Sequence, residues 1–227
     1  MKKKYELLKT NTYNMNGKTL YRIIAIRNFG NIKKGELGGF VQSEKNLSHK
    51  GTCWIHDEAK VYENAKVYGD AQVYNYTMIY GNARVYGNAN LFVKVLITEN
   101  ARVYGNACLI GLTMVRHNVR IYGNARIIDS MLSDKTRIYG DAFVDGCGVK
   151  IYGKSRIYDN AHITGQTEII DTKAYGDSEI HNVRRIKQSK VHGKSKLIDY
   201  NDRRIKGMNI IDNKSYKKDA DGGFVYV

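Results

Sequence analysis

The chain has 227 residues, 42% of them hydrophobic, which excludes a disordered polymer and bounds the protein at one sizeable domain with at most a small appendage. Its 37 Lys and Arg against 22 Asp and Glu leave a formal charge of +15, which points to a polyanionic partner, nucleic acid ahead of a membrane surface. A Lys-rich solubility bias is the alternative reading of that charge.

The first 49 residues stand apart from the rest of the chain. Lys2-Lys3-Lys4 imitates the start of a signal sequence, but Glu6, Lys9, Asn11 and Asn14 interrupt any apolar segment behind it. Asn16-Gly17, between Tyr13 and the run Leu20-Tyr21-Arg22-Ile23-Ile24-Ala25-Ile26, predicts a β-hairpin. We expect residues 1–49 to form a small N-terminal β cap, because an open solenoid end exposes core and unpaired strand edge.

From Ile55 the chain repeats every six residues: Val61, Val67, Val73, Ile79, Val85, Leu91, Ile97, Val103, Leu109, Val115, Ile121 and Ile127. A small residue follows most of them four positions later, as at Ala59, Ala65, Ala71, Thr77, Ala83, Ala89, Ala101, Ala107, Thr113 and Ala125. Aliphatic, turn, small residue is the pattern of a hexapeptide β-helix, in which each hexad is a short strand and a corner and three hexads make a coil. The phase slips by single residues and recovers through Leu132, Ile138, Val144, Ile151, Ile157, Ile163 and Ile169, then loosens through Ile180, Ile186, Val191 and Leu197. The expected fold is all-β, a single-stranded parallel β-helix over residues 50–212, with residues 213–227 as a C-terminal tail or strand. The absence of proline suits unbroken ladders.

These hexads resemble the left-handed β-helix (hexapeptide-repeat) family, which includes acyltransferases, γ-class carbonic anhydrases and non-enzymatic scaffolds. Left-handed coiling comes from that resemblance. The Tyr-Gly-Asn-Ala version, at Tyr86–Ala89, Tyr104–Ala107 and Tyr122–Ala125, is similar to uncharacterised bacterial and phage hexapeptide proteins. It implies a fold and no activity.

On one face the slot after the aliphatic reads Tyr68, Tyr86, Tyr104, Tyr122, Tyr139, Tyr158, Tyr175 and His192. The slot before it reads Lys66, Arg84, Arg102, Arg120, Arg137, Arg156, Lys173 and Lys190. Stacked tyrosines stabilise cross-strand neighbours by roughly 0.2–1 kcal/mol per pair, so a purely structural role is open for them. The cations repel one another by about 0.9 kcal/mol per neighbouring pair in bulk water, against roughly 0.5–1 kcal/mol for an Arg over a Tyr face. A basic stripe beside aromatics suits phosphate contact with base stacking, so nucleic acid or a nucleoprotein is the expected partner and an acidic protein surface the competitor. The similarity to phage proteins extends this to an inhibitor of a host defence nucleoprotein.

A second pattern lies where one face turns into the next. Tyr74/Met78, Phe92/Leu96, Ile110/Met114 and Ile128/Met131 occupy outward slots over four consecutive coils. Such a patch predicts self-association, most simply a two-fold dimer, unless residues 1–49 or 205–227 fold over it.

Little favours catalysis. His117 stands at a corner, and His49, His56, His117, His162, His181 and His192 show no clustering of the kind the γ-carbonic anhydrases need. Cys53, Cys108 and Cys147 have no metal-ligand spacing and suit a reducing compartment. No apolar run approaches the ~18 residues of a membrane span, so the protein is expected to be cytoplasmic, with no membrane partner. The expectation is a non-catalytic scaffold with no cofactor and no metal. The alternatives are a hexapeptide acyltransferase with a degenerate loop, and a structural or polymer-forming scaffold.

Overall fold

A computed structural model of the protein describes residues 2–198 and 204–211 in full, and Ser215–Lys218 and Phe224–Tyr226 by their backbone. A hexad has room for only a short strand before each corner. Successive strands such as Arg102–Val103, Cys108–Gly111 and Met114–Val115 accordingly belong to three different sheets. Each pairs in parallel with its equivalents one coil before and one coil after. The result is a β-solenoid of about nine coils with three faces around one core.

The cation face has nine strands, from Lys66–Val67 to Asn209–Ile210. The second face has eleven, from Trp54–Ile55 to Phe224–Tyr226, and the third has twelve, ending at Arg204–Lys206. The chain visits the second face, the third, then the cation face. The corner between the second and third faces therefore lies opposite the cation face.

The inward aliphatics from Val85 through Ile127 are fully buried, and each contributes roughly 1.5–3 kcal/mol. Some small slots hold Ser or Thr in place of Ala; Thr77 Oγ1 and Ser178 Oγ are buried without a partner, whereas at other slots the hydroxyl donates to a carbonyl of its own corner. Thr113 Oγ1 donates to Ile110 O at 2.6 Å and Ser195 Oγ to His192 O at 2.6 Å, so these two buried oxygens keep a partner.

At the N-terminus, β1 (Tyr5–Met15) and β2 (Lys18–Ala25) form an antiparallel hairpin through Asn16 and Gly17, both at positive φ. β3 (Leu37–Val41) pairs antiparallel with β2 and parallel with Lys60–Val61, so it belongs both to the cap and to the first coil. Leu47 bridges to Val67 on the cation face, and winding thus begins ahead of residue 50. A Cβ at Gly39 would meet the Ala59 carbonyl oxygen at 2.4 Å, which is why glycine stands where β3 lies on the coil. Lys4, one of the three signal-like lysines, is fully buried under this cap. Its Nζ donates to Cys53 O at 2.8 Å and Gly51 O at 3.1 Å, and burial lowers its pKa.

At the other end, Ser215–Lys218 continues the second face in parallel and Phe224–Tyr226 turns back antiparallel on it. The expected boundary at residues 212–213 lies outside the described residues.

The single-residue slips are confined to two corners. From Ile110 to Met114 the corner opposite the cation face takes four steps, from Ile128 to Met131 three, and from Asp145 to Lys150 five. Past the third face, Tyr152 to Arg156 is four steps and Ile170 to Lys173 three. The tyrosine corner never changes. Lys66 to Gln72, Arg84 to Asn90, Arg137 to Phe143, Arg156 to His162 and Lys190 to Lys196 are all six residues apart.

Candidate functional site

Because side chains alternate along a strand, the residues flanking each inward aliphatic of the cation face both point outward. Lys66 stands opposite Arg84, and Arg84, Arg102, Arg120, Arg137, Arg156, Lys173 and Lys190 continue in unbroken register. The next position is Asn209. Seven of the eight cations are exposed and Arg102 is half-buried. Their backbone N–H groups donate to the next coil, but among the described residues none of the eight side chains makes a hydrogen bond or ion pair. The carboxylate partners go instead to Lys3, Lys18, Arg22, Arg185 and Lys196.

The tyrosine column beside them is a continuous stack. Ring centroids from Tyr68 through Tyr86, Tyr104, Tyr122, Tyr139, Tyr158 and Tyr175 to His192 are 4.7–4.9 Å apart, and the planes lie within 7° of parallel. Burial, then the neighbouring rings, raises the pKa of Tyr68, Tyr104 and Tyr158, so these phenols stay neutral.

This geometry bears on two features of the face. An aromatic base sandwiched between two rings needs two contacts of about 3.5 Å, or roughly 7 Å between centroids, and the column offers no such gap. Nor does a ladder arginine sit over a tyrosine face. The cation–π contacts of the described residues belong to Lys4, Lys18, Arg22 and Lys60. The rings are satisfied by one another. Tyr62 and Tyr80, on the third face beside Lys60 and Met78, stack the same way at 4.9 Å, so tyrosine stacking occurs without a cation ladder.

The corner after each tyrosine explains its constant length. Gly105 has φ +71°, and a Cβ there would lie 2.9 Å from Gly123 N, so coils meet backbone to backbone. Outside the glycines runs an amide ladder that reading for motifs missed. Asn88 Nδ2 donates to Asn106 Oδ1 at 3.0 Å, Asn106 to Asn124 at 2.9 Å, Asn124 to Asp141 at 2.8 Å, and Asn160 to Asp177 at 2.8 Å. The signal was present in the Gly-Asn and Gly-Asp pairs behind the tyrosines.

At the opposite corner, the expected self-association residues stand together. Met78, Leu96, Met114 and Met131 are paired neighbours, as are Phe92, Ile110 and Ile128, and Tyr74 stacks on Phe92 at 4.8 Å. All eight are half-buried. The strongly exposed apolar side chains there are Leu112 at 66%, Tyr76 at 60% and Val93 at 44%, at the turn itself. Tyr13 and Met15 of the hairpin line a groove of about 480 Å³ with Met78, Leu96, Leu112 and Met114, so the cap flanks this patch.

His117 is exposed at another corner, with Glu99 3.6 Å and Asp134 3.4 Å from its ring nitrogens. The cleft of about 880 Å³ around Cys147, Lys150 and Glu168 is polar, and Glu168 is already bound by Arg185 and Tyr152. No group of three or more potential metal ligands occurs among the described residues.

No curated protein matches the chain. A family model described as the YdcK β-solenoid repeat matches residues 79–90, which run from the third face across the cation face to the second. That likeness agrees with the architecture: the chain is a β-solenoid repeat protein.

Proposed function

We propose that the protein is a non-catalytic binding scaffold that engages a polyanion along its cation face, the partner being nucleic acid or a nucleic-acid–protein complex. One observation carries this reading: eight cations stand in register, seven of them exposed and Arg102 half-buried, and none is paired with an acid among the described residues. The stack beside them has a structural purpose of its own. The cations do not, since neighbours at this spacing repel by about 0.9 kcal/mol per pair in bulk water. A bound polyanion removes that repulsion and releases its counterions. Inhibition of a host defence nucleoprotein is one use of such a surface. Binding to labelled single- and double-stranded RNA and DNA across a salt series tests the reading. Affinity should fall steeply with salt and vanish in an Arg102→Glu, Arg120→Glu, Arg137→Glu variant that stays folded. Affinity unchanged in that variant sinks the face assignment.

The opposite corner supports self-association as a two-fold dimer. Leu112 and Tyr76 protrude from the wall of the groove that they line with Tyr13, Met15, Met78 and Met114, so projecting side chains and hollow lie on one patch, as an isologous contact requires. Pairing through it keeps the two cation faces on far sides, where their repulsion is least. Sedimentation should show a dimer that Leu112→Glu converts to monomer. A wild-type chain that stays monomeric at high concentration removes this reading, and filaments favour the polymer-forming alternative. No observation favours the acyltransferase reading, which acetyl-CoA protection in a thermal shift, lost in His117→Ala, would revive.

A further inference from the structure

We infer that the cation face takes a single linear chain of phosphates, as in a single-stranded nucleic acid or inorganic polyphosphate, and reads neither bases nor duplex shape. The inference rests on the polyanion reading and narrows it.

The face is long and narrow. Each of its eight strands from Lys66–Val67 to Lys190–Val191 presents one cation and one ring, so the charge is a row one side chain wide. Seven steps of about 4.8 Å separate Lys66 from Lys190, roughly 34 Å in a line. A duplex carries its phosphates on two strands that wind about an axis, so a straight row meets each strand only where it crosses. A single chain lies along the row for its whole length.

The closed tyrosine stack removes the other usual grip on a single strand. With planes within 7° of parallel and centroids 4.7–4.9 Å apart, no base enters between the rings. What remains within reach of the row is the backbone. Five of the eight cations are arginines (Arg84, Arg102, Arg120, Arg137 and Arg156), whose planar forks match phosphate oxygens in pairs. A folded protein partner is disfavoured, because none of the strongly exposed apolar side chains lies on this face between Lys66 and His192 to anchor it.

The probes are an oligothymidylate, an abasic phosphodiester chain of equal length, inorganic polyphosphate, a duplex and polyglutamate, each of equal charge, titrated into the full chain. The abasic chain should bind within about threefold of the oligothymidylate, with a log–log salt slope between about −3 and −6 if the eight cations serve four to eight phosphates. Affinity should rise with chain length until the row is covered and then level. Polyphosphate matching the abasic chain points to polyphosphate as the ligand, and weaker binding points to nucleic acid; both outcomes support the proposal. Oligothymidylate tighter than the abasic chain by about tenfold or more means that bases are read, and overturns it. A duplex or polyglutamate bound as tightly as the single chain also overturns it. Failure of every probe at low salt means that the polyanion reading itself is wrong.

Discussion

The tyrosine corner and the corner opposite the cation face are built from the same hexad, yet only the second changes length. Opposite the cation face, the turn gives up a residue at Asp129 and gains one around Cys147, and its outward column passes from Met78, Leu96, Met114 and Met131 to Lys150, Glu168 and Arg185. At the tyrosine corner, backbone rests on backbone at Gly105 and Gly123, and rings and amides continue from coil to coil. The corner opposite the cation face is free to vary because its outward column changes residue type from coil to coil and carries no continuous ladder of rings or amides. The tyrosine corner is fixed because what it builds exists only when consecutive coils agree.

The largest break in this comparison comes from moving an insertion between corners. One glycine inserted between Asn106 and Ala107 displaces a ring, an amide and a backbone contact at once. We expect a loss of about 3–4 kcal/mol, seen as a fall of about 10 °C in the unfolding midpoint. The same glycine inserted between Gly111 and Leu112, at the kind of turn that already carries an extra residue near Cys147, should cost only a few degrees. Equal losses at the two sites would mean that the constant length of the tyrosine corner has no structural cause.

A smaller change separates structure from function on the cation face itself. Arg120→Glu turns two repulsions, with Arg102 and Arg137, into attractions. At low salt this should stabilise the fold by about 1 kcal/mol, fading as salt screens the row, while polyanion affinity falls. Thermal unfolding and binding measured in the same buffers should move in opposite directions. Loss of stability together with loss of binding would instead make the arginines part of the scaffold.

Much of this molecule was legible in its sequence because a hexad period constrains every coil alike. The inward positions from Ile55 to Ile127, the in-register row from Lys66 to Lys190 and the clustering of Met78 with Leu96 and Met114 all come from counting residues. What counting does not give is ring geometry. Tyr104 at a fixed slot is compatible with rings that open for a ligand or close on one another, and only the parallel planes decide it. The cap was legible as a hairpin at Asn16-Gly17 and as the cover of the first coil, but not in how it joins that coil, because β3 enters it through Gly39 and long-range packing rather than a repeat. The burial of Lys4 beneath that cap is likewise invisible to a pattern that counts lysines as surface.

The amide ladder supplies the finest test of why the tyrosine corner is fixed. Each asparagine in Asn88, Asn106 and Asn124 donates forward along the solenoid, and each run stops at an aspartate, Asp141 or Asp177, which accepts without needing to donate. Asparagine is therefore required inside a run and aspartate suffices at its end. Asn106→Asp sets a carboxylate oxygen against the Asn124 oxygen that now accepts from Asn106, losing one hydrogen bond and creating an acceptor–acceptor contact. For this exposed pair the cost should be about 0.5–1 kcal/mol. Asp141→Asn, which leaves the incoming bond from Asn124 intact, should change stability by less than about 0.5 kcal/mol. Denaturant midpoints for the two variants should differ in that direction. Equal midpoints would show the ladder to be a by-product of the corner, which would then be held by its glycines and rings alone.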